Sequence, residues 1–228
     1  MLIIIDKKIP QEAKEKLKET GALLELETSN ICYEAISGHP DIFFCKLGQD
    51  LVLAPNLPQA FLEILEKNSI HYIKGEFPVG EKYPATAGYN AVYAGNTLIH
   101  NFRYTDPAIT RLGEDADLIH VNQGYARCNL VSVGKDRYIT SDEAIAKVLQ
   151  RFHKEVLYID PAGIVLPGFK NGFFGGCCGI LDDKIYLAGS LKYLKQGQET
   201  RSFLIKNGYE IVELYDGPLF DGGSIVFV

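Results

Sequence analysis

The chain has 228 residues, 46% of them apolar and 23% charged, which is enough to bury a sizeable core in one large domain or two small ones. Its formal charge is −6, from 23 Lys and Arg against 29 Asp and Glu. With no basic stripe to neutralise phosphates and no apolar run near the roughly 18 residues that span a bilayer, the sequence predicts neither a nucleic-acid nor a membrane partner.

The opening segment, Met1-Leu2-Ile3-Ile4-Ile5-Asp6, meets an acid early and lacks a basic lead, so it does not read as a signal peptide. Five cysteines, Cys32, Cys45, Cys128, Cys177 and Cys178, are an odd number for a disulfide framework and read as free thiols of a reducing cytoplasm. No Cys-x-x-Cys occurs, and His39, His71, His100, His120 and His153 are scattered, so neither a structural zinc site nor a cofactor is expected. Glycine is the compositional oddity. Its 22 residues exceed the roughly 7% average and predict tight turns or close approaches of backbone.

Read along the chain, the hydrophobic pattern predicts a strand over 2–5, a helix between Pro10 and Gly21, and a strand over 23–26. A fuller unit follows. It has strands over 41–45 and 51–53 about a turn at Gly48, a helix over 58–67 with Phe61, Ile64 and Leu65 on one face, and a strand over 70–73. The same order returns at intervals of about 40 to 50 residues. Next come strands over 90–93 and 97–99 about Gly95-Asn96, a helix opened by Asp106-Pro107, and a strand over 117–121. Strands over 128–133 and 137–139 flank Gly134, and Thr140-x-x-Glu143 reads as a capping box before a helix with Ile145, Val148, Leu149 and Phe152 on its stripe; a strand over 156–159 ends that unit. The last full unit has strands over 177–181 and 185–187 about Asp182-Asp183, a helix around 201–206 ended by Gly208, and a strand over 211–214.

The termini supply the remaining unit. The chain begins with a second strand and ends with an unpartnered first strand over 224–228, so pairing the two completes the pattern. Five strand-strand-helix-strand units closed in this way imply an α/β ring in one domain over 1–228, because an open stack would leave the last apolar strand without a partner. A doubly wound sandwich would alternate single strands with helices, whereas here a hairpin precedes each helix.

This repeat resembles the pentein fold, the α/β propeller of guanidino-group-modifying enzymes such as arginine deiminases, dimethylargininases and amidinotransferases. The segment Asp221-Gly222-Gly223-Ser224-Ile225-Val226 is similar to the Gly-rich strand that carries their nucleophilic Cys. Ser37-Gly38-His39-Pro40-Asp41, Gly124-Tyr125-Ala126-Arg127-Cys128 and Gly172-Phe173-Phe174-Gly175-Gly176-Cys177-Cys178-Gly179 resemble a bacterial branch of the superfamily. The usual catalytic set departs from that pattern. Val226 stands where the family has its Cys, Tyr125 and Ala126 where it has its His, and Ala87-Gly88-Tyr89 where an acid is expected.

In such a ring the entries to the five first strands converge on the axis and line a pocket, with Gly38, Gly88, Gly124, Gly175, Gly176, Gly222 and Gly223 crowding the same level. Asp41 and Asp221 would bind a guanidinium or amine there, Arg127 a carboxylate, and Cys128 and Ser224 complete the lining. As a thiol-dependent hydrolase or amidinotransferase, the protein would use Cys177 or Cys178 as nucleophile and His39 as proton carrier. The adjacent cysteines, read as strand residues, face opposite ways, so at most one reaches the pocket.

Each residue also has a structural reading. Cys32 and Cys45 pack, His39-Pro40-Asp41 and Asp221 make turns, Arg127 is an ordinary surface or ion-pair residue, and the other four histidines are solvated. The alternative function is a non-catalytic binder of a small guanidino or amino-acid-like molecule. No heptad or amphipathic tail points to a structural role, and nothing in the sequence specifies an oligomeric state.

Overall fold

A computed structural model describes residues 1–228. The chain opens with β1 (Leu2–Asp6), α1 (Gln11–Lys18) and β2 (Ala22–Leu26). A helical turn, α2 (Pro40–Phe43), leads into β3 (Phe44–Leu47), β4 (Asp50–Leu53), α3 (Gln59–Lys67) and β5 (Ile73–Lys74). Then come β6 (Val92–Ala94), β7 (Thr97–His100), α4 (Pro107–Leu112) and β8 (Asp117–His120). A second helical turn, α5 (Ala126–Asn129), opens β9 (Leu130–Ser132), β10 (Arg137–Thr140), α6 (Glu143–Arg151) and β11 (Glu155–Tyr158). The last full unit enters by a 3₁₀ turn, Gly175–Cys177, into β12 (Cys178–Leu181), β13 (Lys184–Leu187), α7 (Gly197–Lys206) and β14 (Glu210–Glu213), and β15 (Val226–Phe227) ends the chain.

These strands form five three-stranded sheets. Within each sheet the first two strands are antiparallel and the third runs parallel to the second across a helical connection. β15 pairs antiparallel with β1, placing Ile3 opposite Phe227 and Ile4 opposite Val226. First strands of successive units lie side by side, β3 against β6, β6 against β9 and β12 against β15. The architecture is the five-unit ββαβ ring, and the doubly wound alternative is excluded.

Local chemistry explains most boundaries. Gly48 and Gly95 turn their hairpins with φ of 61° and 62°, a left-handed conformation open to glycine at no steric cost. Asp106 caps α4 by accepting from the Ala108 amide, with Pro107 at the first helical position. In α6 the cap is Asp142, which accepts from the amides of Ala144 and Ile145. The capping box expected at Thr140 is therefore displaced. Thr140 is the last residue of β10, and its hydroxyl accepts from the Asp142 amide instead.

The helix stripes are also shifted. α3 buries Leu62 and Leu65 and exposes Ile64, while Phe152 lies beyond α6 and is 52% exposed.

Three predicted strand starts are helical turns, at Asp41, at Cys128 and at Cys177, the last in the 3₁₀ turn before β12. Pro40 occupies the first position of α2, where its fixed φ suits a helix, so Asp41–Phe43 turn before β3 begins. In α5 the Asn129 side chain folds back, its Nδ2 donating to Tyr125 O at 2.9 Å and holding the turn before β9.

His71, His120 and His153 are exposed, but His100, expected on a solvated face, is fully buried. Its Nε2 lies 2.8 Å from Gly124 O and its Nδ1 2.7 Å from Thr105 Oγ1. A carbonyl only accepts, so the proton sits on Nε2. Burial pushes the imidazole pKa down to about 4. The unfolded chain therefore protonates His100 at a higher pH than the folded one, and the stabilisation present above about 6.5 is lost as pH falls toward 4. Between about pH 7 and 4.5, wild type should lose roughly 2 kcal/mol of unfolding free energy relative to His100→Gln, as measured by urea denaturation.

Candidate functional site

The entries to the strands converge as the repeat requires, and their last polar side chains meet. His39 precedes Pro40 in an extended conformation, and Asp41 follows in the α2 turn with its amide donating to Gly223 O at 3.0 Å. The Asp41 carboxylate is nearly fully buried. Its Oδ2 accepts from Cys128 Sγ at 3.0 Å and from Ser224 Oγ at 2.8 Å, and its Oδ1 has no partner. Asn90 braces this group. Its Nδ2 lies 3.0 Å from Asp41 O and 3.2 Å from Cys128 Sγ, and its Oδ1 accepts from the Cys128 amide at 3.1 Å. Ser224 holds its place with φ of 79°, a strained backbone for a non-glycine residue, fixed by its amide on Gly176 O at 2.7 Å.

A second pair of acids flanks His39. Asp221 accepts from the Phe173 amide at 2.8 Å and the Gly223 amide at 3.0 Å, and Asp6 at the end of β1 accepts from the Lys8 amide at 2.6 Å. The imidazole stands 3.8 Å from Asp6 Oδ2 and 4.0 Å from Asp221 Oδ1, too far to hydrogen-bond either, and burial pushes its pKa down to about 4. It is neutral and forms no ion pair. Burial pushes Asp6 up to about 6 and Asp221 up to about 7, the latter helped by the charge of Asp41. The Cys128 thiol is driven well above its usual range, first by burial and then by Asp41, so it stays protonated and donates to that carboxylate.

Two openings reach this cluster. A cavity of about 280 Å³ is bounded by Asp6, Lys8, Glu34, His39, Gly168 and Asp221. On the hairpin side of the ring, a wider depression of about 890 Å³ is rimmed by Gly48, Gly95 and Gly134 and reaches Asp41 and Arg127. A chain of hydroxyls runs from Tyr125, three residues before the thiol-bearing Cys128. Tyr125 Oη is 2.6 Å from Thr86 Oγ1 and 3.2 Å from Tyr33 Oη, and the Tyr83 ring packs on Tyr125.

The family model described as a family of unknown function, DUF6873, matches residues 4–226. The chain belongs to DUF6873. No curated protein matches this sequence. Among solved structures, SxtG, an amidinotransferase from Microseira wollei, superposes on this DUF6873 protein with a TM-score of 0.55 at 12% identity, over 92% of this chain and 87% of its own. DDAH from Pseudomonas aeruginosa, solved as a mutant complexed with citrulline, gives 0.55 at 11% identity over 93% and 91%. The agmatine deiminase of C. jejuni gives 0.57 at 11% identity over 90% and 73%. At this identity the likeness establishes the fold, and the fold is that of the penteins.

Of the residues singled out in the DUF6873 sequence, His39, Asp41, Cys128, Asp221 and Ser224 come together. Arg127 lines the wider depression with Asp41 but makes neither a hydrogen bond nor an ion pair with these residues. Its guanidinium straps the neighbouring unit, donating to Gly175 O at 2.8 Å and Cys178 O at 3.1 Å. Cys177 and Cys178 donate to Phe173 O and Phe174 O of their own loop and share one apolar cluster. Cys177 belongs to a 3₁₀ turn, where strand alternation does not apply, and neither cysteine lines either opening. Burial raises both thiols, which is the reverse of what a nucleophile needs.

Asp6, Asn90 and Tyr33 join the site without standing in any of the motifs singled out above. Asn90 carried a signal, as the last polar residue before an apolar strand, the position that Ser224 also holds.

Glycines make room for the acids. A Cβ on Gly38 would fall 2.6 Å from Asp6 Oδ1, and one on Gly176 would strike the Asp221 carboxylate. Gly176→Ala should lower stability by about 1–3 kcal/mol in urea unfolding, the usual cost of overpacking a tight core. In native protein, iodoacetamide should label half-buried Cys32 well before buried Cys128, Cys177 and Cys178, as read by peptide mass spectrometry.

Proposed function

We propose that this protein binds a small cation of the guanidino or amidine class, with an amino-acid-like tail, against Asp6 and Asp221. The carrying observation is an imbalance of charge. Three carboxyl groups, Asp6, Asp41 and Asp221, are buried around a neutral imidazole, and no lysine or arginine forms an ion pair with any of them. Burying carboxylates without a compensating cation is costly, and a bound guanidinium or amidinium offsets that cost through charge-assisted hydrogen bonds. The Asp6 Oδ2 atom, buried without a partner, is a ready acceptor.

The cavity beside Asp6 and Asp221, about 280 Å³, suits a ligand of this size. At its mouth Lys8 and Glu34 pair at 3.3 Å, so one can meet a carboxylate and the other an ammonium. The fold neighbours, which include an amidinotransferase, an agmatine deiminase and a DDAH solved with citrulline, support the same ligand class.

Binding without thiol chemistry is the better supported form of this reading. Cys177 and Cys178 are turned to main-chain carbonyls, and Cys128 is held as a thiol by Asp41. Calorimetry with agmatine and L-arginine should show binding that L-citrulline, whose ureido group is uncharged, lacks. Asp221→Asn should weaken it by at least about 30-fold, the cost of removing one partner of a buried charge pair. Equal affinity for citrulline, or no binding of either cation, would overturn the reading.

A further inference from the structure

We propose that His39, Asp41 and Cys128 form a binding site for a divalent transition metal of the zinc type. The three side chains come from two units of the ring, all are buried, and one ligand atom from each lies within 4.8 Å of the others. A tetrahedral zinc ion with bonds of about 2.0 to 2.3 Å sets its ligands roughly 3.5 Å apart, so a small contraction closes this triangle on a metal. Two of the donors are otherwise unexplained. Asp41 Oδ1 and His39 Nδ1 are fully buried polar atoms with no hydrogen-bond partner, a condition that native interiors rarely leave unanswered.

The donor set selects the metal. A thiolate, an imidazole and a carboxylate together suit zinc or cobalt, whereas magnesium and calcium prefer oxygen ligands throughout. The surrounding shell is also that of a metal centre. Ser224 Oγ donates to Asp41 Oδ2, and Asn90 Nδ2 points at Cys128 Sγ from 3.2 Å, so both anionic ligands are oriented by neighbours. Balance is simple. The metal replaces the Cys128 thiol proton, which leaves to solvent, and the thiolate and the Asp41 carboxylate together match its two positive charges. Three protein ligands leave a fourth position for water or an incoming molecule.

Scattered histidines and the absence of a Cys-x-x-Cys hid this site in the sequence, because Cys128 is 87 residues from Asp41 and reaches it only through the ring. The metal site goes beyond the cationic-ligand reading. It adjoins that ligand's cavity through His39 and draws on Asp41 of the same buried acids, but its donors exclude Asp6 and Asp221, so metal binding can succeed or fail apart from cation binding. The test uses metal alone. Chelator-treated full-length protein titrated with CoCl₂ should develop a sulfur-to-cobalt charge-transfer absorption that saturates at one equivalent and is reversed by zinc.

Cys128→Ser should abolish the band, Asp41→Asn should weaken cobalt binding by at least about tenfold, and Cys177→Ser should leave both unchanged. X-ray absorption at the zinc edge of the wild type, which needs no variant to fold, should show one sulfur neighbour among nitrogen and oxygen. No band at one equivalent, a band that persists in folded Cys128→Ser, or a zinc shell without sulfur would each overturn the proposal.

Discussion

The antiparallel pairing of β15 with β1 closes the ring, and the polar cluster depends on it. Leu2 and Val228 exchange both backbone hydrogen bonds, at 2.8 and 3.0 Å, and Ile4 faces Val226. The register brings the end of β1, with Asp6, to the segment before β15, with Asp221 and Ser224. If the C-terminal strand were released, the fifth unit would lose its first strand and Ser224 would leave Asp41. Neighbouring entries are stitched in the same manner, Asp41 N to Gly223 O, Ser224 N to Gly176 O and Arg127 N to Asn90 O.

This convergence explains the glycines. When several backbones meet at one level, a Cβ becomes an obstruction, and at Gly38, Gly176 and Gly223 it would collide with Asp6, Asp221 and His39 respectively. The space saved is given to carboxyl groups rather than to apolar side chains. Crowding and burial then act together on the electrostatics. They hold His39 neutral, raise Asp6 and Asp221 above the ordinary carboxylate range, and keep the thiol protonated beside Asp41. The Arg127 guanidinium does not balance these charges, because it is held by the carbonyls of Gly175 and Cys178 in the neighbouring unit.

The departures from the pentein catalytic pattern acquire a physical sense here. Val226 pairs with Ile4 in the closing strand, and Tyr125 joins a hydroxyl chain with Thr86 and Tyr33. The position left without a family nucleophile is part of the sheet. Cys128 is the thiol that meets an acid, and it comes from a different unit.

The five-unit repeat, the hairpin turns and the closing of the ring by the termini were legible in the sequence, because hydrophobic periodicity and turn glycines are local consequences of chain geometry. The meeting of His39, Asp41, Cys128, Asp221 and Ser224 also followed, since all stand at strand entries that a ring must gather. Other features were settled by tertiary structure alone. Helical turns replaced the starts of three strands, His100 was buried, Cys177 and Cys178 were turned to their own loop, and Asn90 and Asp6 were brought into the cluster. Hydrogen-bond partners and burial depend on residues distant in the chain, such as Asp41 and Ser224, 183 positions apart, and no local pattern encodes them.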